Sequence, residues 1–249
     1  RGCQHQCIYC DTRSDCYGIG DLANIRYKEN AIELLEKELK SKKERATIGT
    51  GSMNDQYMPV EKQLGLTRKA LTVIERYKFP VHIITKSTLV LRDTDVILKI
   101  AKVYAAVSIT ITTADDSLSR LIEPGAPVSS ERFAALKQLS DAGIYCGVLL
   151  MPVLPFINDT GKNLHDIVTL AKRNGAKYLI PALGVTLRDS QRDYFYNKLD
   201  ESFPGIKEKY ISRYKEQYSC QVPESADLNN MLISVCQKEN IPLTMDFYK

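Results

Sequence analysis

The sequence predicts an α/β fold, a partial (β/α)6 barrel of the TIM type with a mostly helical C-terminal cap. Two observations lead to this prediction. Short apolar segments alternate with amphipathic ones along residues 27–183, and the apolar segments are continuous rather than apolar at every second residue. Continuous apolar strands are typical of parallel sheets that are covered on both faces. In such barrels the functional residues lie at the carboxyl ends of the strands.

The predicted elements follow one another in a regular order. The amphipathic segments carry apolar residues at helical spacing, and two of them end at a glycine, Gly143 and Gly175. The cysteine-rich loop at residues 1–10 should itself follow a strand, so we expect a first strand upstream of Arg1. The predicted strands cover residues 46–51, 81–86, 105–112, 144–152 and 177–183, and the predicted helices cover residues 27–43, 67–77, 93–102, 130–143 and 163–175.

The last part of the chain breaks this alternation. It contains two or three helical stretches and a final apolar segment, residues 241–247, that could form an edge strand. We therefore predict a barrel over residues 1–185 and a cap over residues 186–249. Tyr210, Tyr214 and Tyr218 recur every four residues, which favours a buried helix face over a surface that stacks on unpaired bases.

Composition narrows the possible classes of protein. The 249 residues are 26% charged and 44% hydrophobic, as in ordinary globular domains. The net charge of +4 is too small to indicate a polyanionic partner by itself. The odd number of cysteines, seven, and their clustering near one end suit a reducing cytoplasm better than a disulfide framework. We expect no membrane association, because no apolar run approaches the ~18 residues of a spanning helix.

A cysteine motif at the start of the chain, RGCQHQCIYC, points to a metal site. Cys3, Cys7 and Cys10 follow C-x3-C-x2-C spacing. A structural zinc would need a fourth ligand, from Cys16 or His5. A cubane iron–sulfur cluster held by only three cysteines keeps one iron open to a small molecule. Structural or redox-active cysteines are a third possibility.

The motif, with Tyr9 directly before its last cysteine, resembles the radical S-adenosylmethionine (SAM) superfamily. Further segments resemble the spore photoproduct lyase-like branch, whose members are often labelled DNA repair photolyase. The matching segments reach from residue 1 to about residue 160: RGCQHQCIYC, NDQYMPVE (54–61), TKSTLVLRD (85–93), VSITIT (107–112), LIEPGAPVSSERFAAL (121–136), DAG (141–143) and MPVLPFIND (151–159).

The resemblance implies a radical SAM enzyme with a [4Fe–4S] cluster on Cys3, Cys7 and Cys10. In that superfamily the open iron binds SAM, and reductive cleavage yields a 5′-deoxyadenosyl radical that abstracts hydrogen from the substrate. It also implies a reduced electron donor such as flavodoxin or ferredoxin, and nucleic acid as a possible substrate.

The same resemblance suggests residues that bind SAM. Lys86, at a strand end, is suited to the carboxylate of SAM, and Ser108 to donating to the same group. Asp55 is suited to accepting from the SAM amino group, and Tyr9 and Met151 to packing near the adenine. Plainer alternatives are a solvated Lys86, a Ser108 bonded to backbone, and Tyr9 and Met151 as ordinary packing residues.

Glu123 and Arg132 flank a proline-rich turn after the predicted strand at 105–112. A carboxylate at that position is suited to the ribose hydroxyls of SAM, and the arginine could hold it in place as an ion pair.

The chain departs from the spore photoproduct lyases at residue 53. Those enzymes place a hydrogen-donating cysteine just after the second strand, whereas this chain has Met53, whose thioether carries no S–H. We therefore expect a different substrate, unless Cys16 or Cys146 reaches the site. Two alternatives stay open: a zinc-containing nucleic-acid-binding protein without radical chemistry, and a radical SAM enzyme acting on a small metabolite.

Overall fold

The computed structural model describes residues 1–248 and contains a five-stranded parallel sheet in the order β1-β2-β3-β4-β5. Each strand pairs in register with the next one along the chain, for example Ile83 with Val107. This is the predicted α/β architecture, and each of the five predicted strands within the chain is present. The strands are β1 (Ile48–Thr50), β2 (Val81–Thr85), β3 (Ala105–Thr110), β4 (Tyr145–Leu150) and β5 (Leu179–Pro181).

Helices connect the strands and cover one face of the sheet. Apolar side chains of β2, β3 and β4, such as Ile83, Val107 and Val148, form one continuous core with the helices. The connecting helices are α1 (Ala31–Ser41), α2 (Glu61–Leu64), α3 (Leu66–Arg76), α4 (Thr94–Ile100), α5 (Asp116–Ile122), α6 (Ser129–Asp141) and α7 (Gly161–Arg173). The short helices α2 and α5 were not predicted; Ile122, the last residue of α5, accepts from Ile8 N of the cysteine loop (3.0 Å).

The C-terminal part contains three helices and a second, small sheet. Its elements are β6 (Gly184–Thr186), α8 (Asp189–Ser202), α9 (Ile206–Tyr214), β7 (Ser219–Gln221) and α10 (Ser225–Lys238). β6 pairs antiparallel with β7, and α10 packs against α7. Leu179 N donates to Pro242 O (3.0 Å), so the segment after α10 reaches β5, but residues 241–248 form no strand. The division at residue 185 and the strand upstream of Arg1 stay predictions.

The tyrosines of the C-terminal part divide into buried and exposed ones. Tyr210 and Tyr214 are buried in a cluster with Phe195 and Leu199, which confirms the predicted helix-packing role for these two. Tyr218 is 49% exposed and lies directly before β7. Among residues 1–248, no helix has the length and apolar character needed to span a bilayer.

Candidate functional site

The three cysteines of the N-terminal motif line one cavity of about 100 Å3. Cys3 and Cys7 are 8% and 7% exposed, Cys10 is half-buried, and all three are free thiols. The cavity lies at the carboxyl ends of β1, β2 and β3, where it is also lined by residues 51–55, by Lys86 and by Thr110. The motif is thus placed where a barrel of this type carries its functional groups.

The residues around the cysteines indicate whether a fourth ligand for a zinc ion is available. Cys16 is exposed and does not line the cavity, and its Sγ accepts from Ser14 Oγ (3.2 Å). His5 lines the cavity, with Nδ1 2.9 Å from Gly125 O and Nε2 3.1 Å from Asp55 Oδ2. Cys16 is therefore not placed to complete a zinc site with the three cysteines, and the ring of His5 lies against Gly125 and Asp55.

The donor set fits an iron–sulfur cluster. No group of three or more His, Cys, Asp or Glu side chains in residues 1–248 is placed to hold a single metal ion. A [4Fe–4S] cluster does not need such convergence, because each thiolate binds a different iron. Burial raises the pKa of Cys7 to about 12, so this thiol needs a bound metal to become a thiolate at neutral pH.

Asp55 anchors the cysteine loop to the end of β2. Its carboxylate accepts from Tyr57 N (2.9 Å), from Thr85 Oγ1 (2.8 Å) and from Lys86 N (2.6 Å), and it lies 3.1 Å from His5 Nε2. Burial alone would raise its pKa, but His5 and the other donors lower the pKa of Asp55, so it stays ionised. Both carboxylate oxygens are engaged inside the protein, and the predicted contact with the SAM amino group stays a prediction.

A second carboxylate anchors the other end of the loop. The Tyr9 hydroxyl donates to Glu123 Oε1, and Arg132 Nη1 donates to Glu123 Oε2 (2.5 Å). Arg132 also donates to Thr110 O (3.0 Å) and Pro127 O (2.7 Å). The expected ion pair is present and buried. Both oxygens of Glu123 are used within it, so the predicted ribose contact is not supported by a free acceptor.

Lys86 lines the cysteine cavity, whereas Ser108 lies deeper in the sheet. Ser108 Oγ shares hydrogen bonds with His82 Nε2 (2.7 Å) and with the Tyr178 hydroxyl (2.7 Å), and it is fully buried. Thr110, two residues further along β3, lines the cavity instead. The structure therefore brings Thr110 rather than Ser108 to the wall beside Lys86.

The ammonium of Lys86 forms no ion pair with a carboxylate of residues 1–248. Its Nζ lies 5.8 Å from the centroid of the Tyr9 ring. Burial alone would lower its pKa, but the negative charges of Cys7 as a thiolate and of Glu123 raise the pKa of Lys86, so it stays cationic. A free cation on the cavity wall is suited to an anionic group of a ligand.

A larger cavity of about 560 Å3 adjoins the first, with which it shares Cys10, Thr12 and Ser52. Tyr9 and Met151, both predicted near the adenine, line this cavity. Its opposite wall was missed by sequence reasoning, because strands as short as β6 and β7 give no periodic signal. That wall is formed by residues 182–186 together with Ser219 and Gln221.

The structure also places the sulfur-containing side chains that bear on the hydrogen donor. Met53 lines the cysteine cavity and is 39% exposed. Cys146 is fully buried, and its Sγ points toward Leu136 O (3.8 Å) in the core between β4 and α6. The possibility that Cys146 reaches a substrate is therefore wrong. Cys16 lies outside both cavities.

The start of α8 is bonded to the cysteine loop. Gln191 Nε2 donates to Tyr9 O (3.2 Å), and Arg188 Nη2 donates to Asp11 Oδ2 (2.9 Å). The guanidinium carbon of Arg188 lies 5.3 Å from the Tyr17 ring centroid and 5.2 Å from that of Tyr218. These contacts connect the C-terminal part directly to the residue that follows Cys10.

Comparisons with known proteins agree with this geometry. The family model of the Radical SAM superfamily matches residues 1–169. An uncharacterized protein of Mycobacterium tuberculosis is 30% identical over 226 residues, which cover 88% of this chain and 65% of that protein. An uncharacterized protein of Methanocaldococcus jannaschii is 35% identical over 161 residues, which cover 64% of this chain and 60% of that protein. The chain spans less than two thirds of either relative.

Solved structures show the same fold at low sequence identity. A spore photoproduct lyase with bound AdoMet and dinucleoside spore photoproduct superposes with a TM-score of 0.71 at 14% identity, covering 95% of this chain and 71% of that one. Streptococcus suis SuiB bound to S-adenosylmethionine gives a TM-score of 0.51 at 14% identity, covering 85% and 43%. The chain thus belongs to the radical SAM superfamily of enzymes, with a fold like that of spore photoproduct lyase.

Proposed function

We propose that the chain holds a [4Fe–4S] cluster on Cys3, Cys7 and Cys10 and cleaves SAM reductively. The observation that carries this proposal is that three free thiols line one cavity, whereas Cys16 lies outside it with its Sγ bonded to Ser14. A cluster bound in this way keeps one iron for a small ligand. The adjoining 560 Å3 cavity falls within the size range of small-molecule sites.

The residues around the two cavities are suited to SAM. When bound, the cluster and SAM supply a one-electron cleavage that yields a 5′-deoxyadenosyl radical for hydrogen abstraction. Lys86 pairs with the carboxylate of SAM, and Thr110 is placed to donate a hydroxyl beside it. Met151 and Tyr9 provide apolar surface in the larger cavity for the adenine. Asp55 and Glu123 contact the loop that carries the cluster ligands and hold it in place, rather than contacting SAM themselves.

We further propose nucleic acid as the substrate class to test first. Arg188 between the rings of Tyr17 and Tyr218 is an arrangement that can stack on unpaired bases. A lyase with the same fold has been solved with a dinucleoside photoproduct. Met53 argues against spore photoproduct itself as the substrate. We also propose a reduced one-electron donor such as flavodoxin or ferredoxin, and a cytoplasmic location, which suits the free cysteines.

The radical chemistry is tested by anaerobic reconstitution with iron and sulfide, followed by dithionite and SAM, with 5′-deoxyadenosine as the measured product. We expect Cys7→Ala to abolish both iron retention and product, and the matched control Cys16→Ala to retain both. Product that does not depend on Cys7 would contradict the proposal. Loss of metal in Cys16→Ala as complete as in Cys7→Ala would favour the zinc alternative.

The substrate class is tested by anisotropy with a fluorescent single-stranded oligonucleotide at low and moderate salt. We expect affinity to fall with salt. We expect Tyr218→Ala to weaken binding by roughly 5- to 100-fold, since stacking on one base contributes about 1–3 kcal/mol. Tyr27→Ala, which removes a comparably exposed tyrosine before α1, is the control. Equal affinity of the two variants, or binding that ignores salt, would exclude this surface as the nucleic-acid site.

A further inference from the structure

Two charged side chains are fully buried beside the cysteine loop. Glu123 is 1% exposed and Arg132 is 0% exposed. Removing two charges from water is costly, and a buried ion pair is often no better for stability than apolar packing of the same volume. Stabilisation of the fold is therefore a weak explanation for this ion pair, and its position suggests another role.

The pair lies in direct contact with the loop that carries the cluster ligands. Tyr9, between Cys7 and Cys10 in the sequence, donates its hydroxyl to Glu123. The main chains are also joined: Ile8 N donates to Ile122 O (3.0 Å). The carboxylate is thus held, through Tyr9, against the loop segment between two ligand positions, and charges in such a buried medium are poorly screened.

We propose that the buried Glu123–Arg132 pair sets the reduction potential of the cluster, which Glu123 lowers and Arg132 raises. This inference rests on the proposed cluster. Reduction adds negative charge to the cluster, so a buried carboxylate opposes it and a buried guanidinium favours it. The potential then follows the net charge of the pair, which is zero in the wild-type protein.

The proposal is tested by redox titration of the reconstituted protein, with the reduced cluster followed by electron paramagnetic resonance. Glu123→Gln leaves a buried Arg132 that cannot lose its proton, so the pair carries a charge of +1. We expect the equilibrium constant for reduction to rise at least tenfold, which is ~59 mV for a one-electron couple. In the double variant Glu123→Gln/Arg132→Met the pair is neutral again, and more than half of that shift should disappear.

Two further variants separate charge from structure. Arg132→Lys keeps the charge but loses the planar donor arrangement, and we expect an unchanged potential. Glu131→Gln removes one negative charge from an exposed position on the same helix, and we expect no shift. If Glu123→Gln does not accumulate in loaded form, Arg132→Met carries the test: it leaves the Glu123 carboxylate without its guanidinium, so the potential should fall below that of the wild-type protein, and an unchanged potential would overturn the proposal.

Several results would overturn the proposal. A wild-type potential in Glu123→Gln would do so, as would a double variant shifted as far as the single one. An Arg132→Lys shift as large as that of Glu123→Gln would show that geometry, not charge, matters. These outcomes differ from failure of the proposed function, in which the wild-type protein itself would show no [4Fe–4S] signal after reconstitution.

Discussion

Replacing Asp55 by Asn should lower the free energy of unfolding by about 1.5–3 kcal/mol. An Asn side chain keeps one oxygen, which can still accept from Tyr57 N and Thr85 Oγ1. Its amide nitrogen, however, would face Lys86 N, which donates to Asp55 at 2.6 Å, and His5 Nε2, which lies at 3.1 Å. The hydrogen bond from Lys86 N to a charged acceptor is lost, which costs about 1.5–3 kcal/mol, and the contact between His5 and a carboxylate is lost with it.

The assay is urea unfolding of the cluster-free protein, followed by far-ultraviolet circular dichroism. Asp141→Asn is the matched control, because its carboxylate pairs with Lys137 at 2.5 Å but is 60% exposed. Exposed pairs contribute about 0–1 kcal/mol, so the control should differ little from wild type. We also expect Asp55→Asn to retain less iron after reconstitution, since His5 belongs to the cysteine loop. An Asp55→Asn stability within about 1 kcal/mol of wild type would refute the anchoring role.

Three other variants test the site and its surroundings. Lys86→Met should weaken SAM binding roughly 10- to 100-fold in calorimetry on the reconstituted protein, because a charge-assisted contact contributes about 1.5–3 kcal/mol. Gly125→Ala should destabilise the protein by about 1–3 kcal/mol in urea unfolding, because its Cβ would lie 2.1 Å from Gln4 O. Hydrogen bonds from Arg68 lower the pKa of Asp95 to about 2. The stabilisation from this carboxylate is therefore present above pH ~4 and is lost as the pH falls toward 2. Asp95→Asn should accordingly make the free energy of unfolding less dependent on pH in this range.

Two of these variants have a control within the chain. Lys62→Met removes an exposed lysine outside both cavities and should leave SAM affinity unchanged. Gly49→Ala adds a Cβ that meets nothing within 4 Å, so it should be tolerated where Gly125→Ala is not. For Asp95, urea midpoints that fall equally in variant and wild type between about pH 5 and about pH 2 would contradict the assignment.

Much of the fold was predictable because burial imposes regular periods on the sequence. All six residues of β3 are buried, so apolar residues on this strand are not confined to every second position, and Ala105, Ala106 and Val107 follow one another directly. In α7 the buried residues Leu164, Ile167, Val168 and Ala171 repeat at helical spacing. The hairpin strands β6 and β7 have three residues each and come together only through tertiary pairing, so no local pattern marks them.

For the site, the sequence predicted only what can be inferred from residue types and from the positions of strand ends. Ser108 and Thr110 lie on the same face of β3, and which of them reaches the cavity depends on where neighbouring strands end. Asp55 and Glu123 were predicted to bind SAM because they are carboxylates near strand ends. His5 and Tyr9 are far away from them in the sequence, and only the folded chain shows that His5 lies 3.1 Å from Asp55 and that Tyr9 donates to Glu123.

The most direct test of the account is the electron paramagnetic resonance spectrum of the reduced, reconstituted protein, recorded with and without SAM. If Cys3, Cys7 and Cys10 hold a [4Fe–4S] cluster with one open iron, SAM should change the spectrum of the cluster. We expect Cys16→Ala to respond as the wild-type protein does. A cluster signal that is identical with and without SAM, or a protein that binds zinc but no iron, would contradict the account.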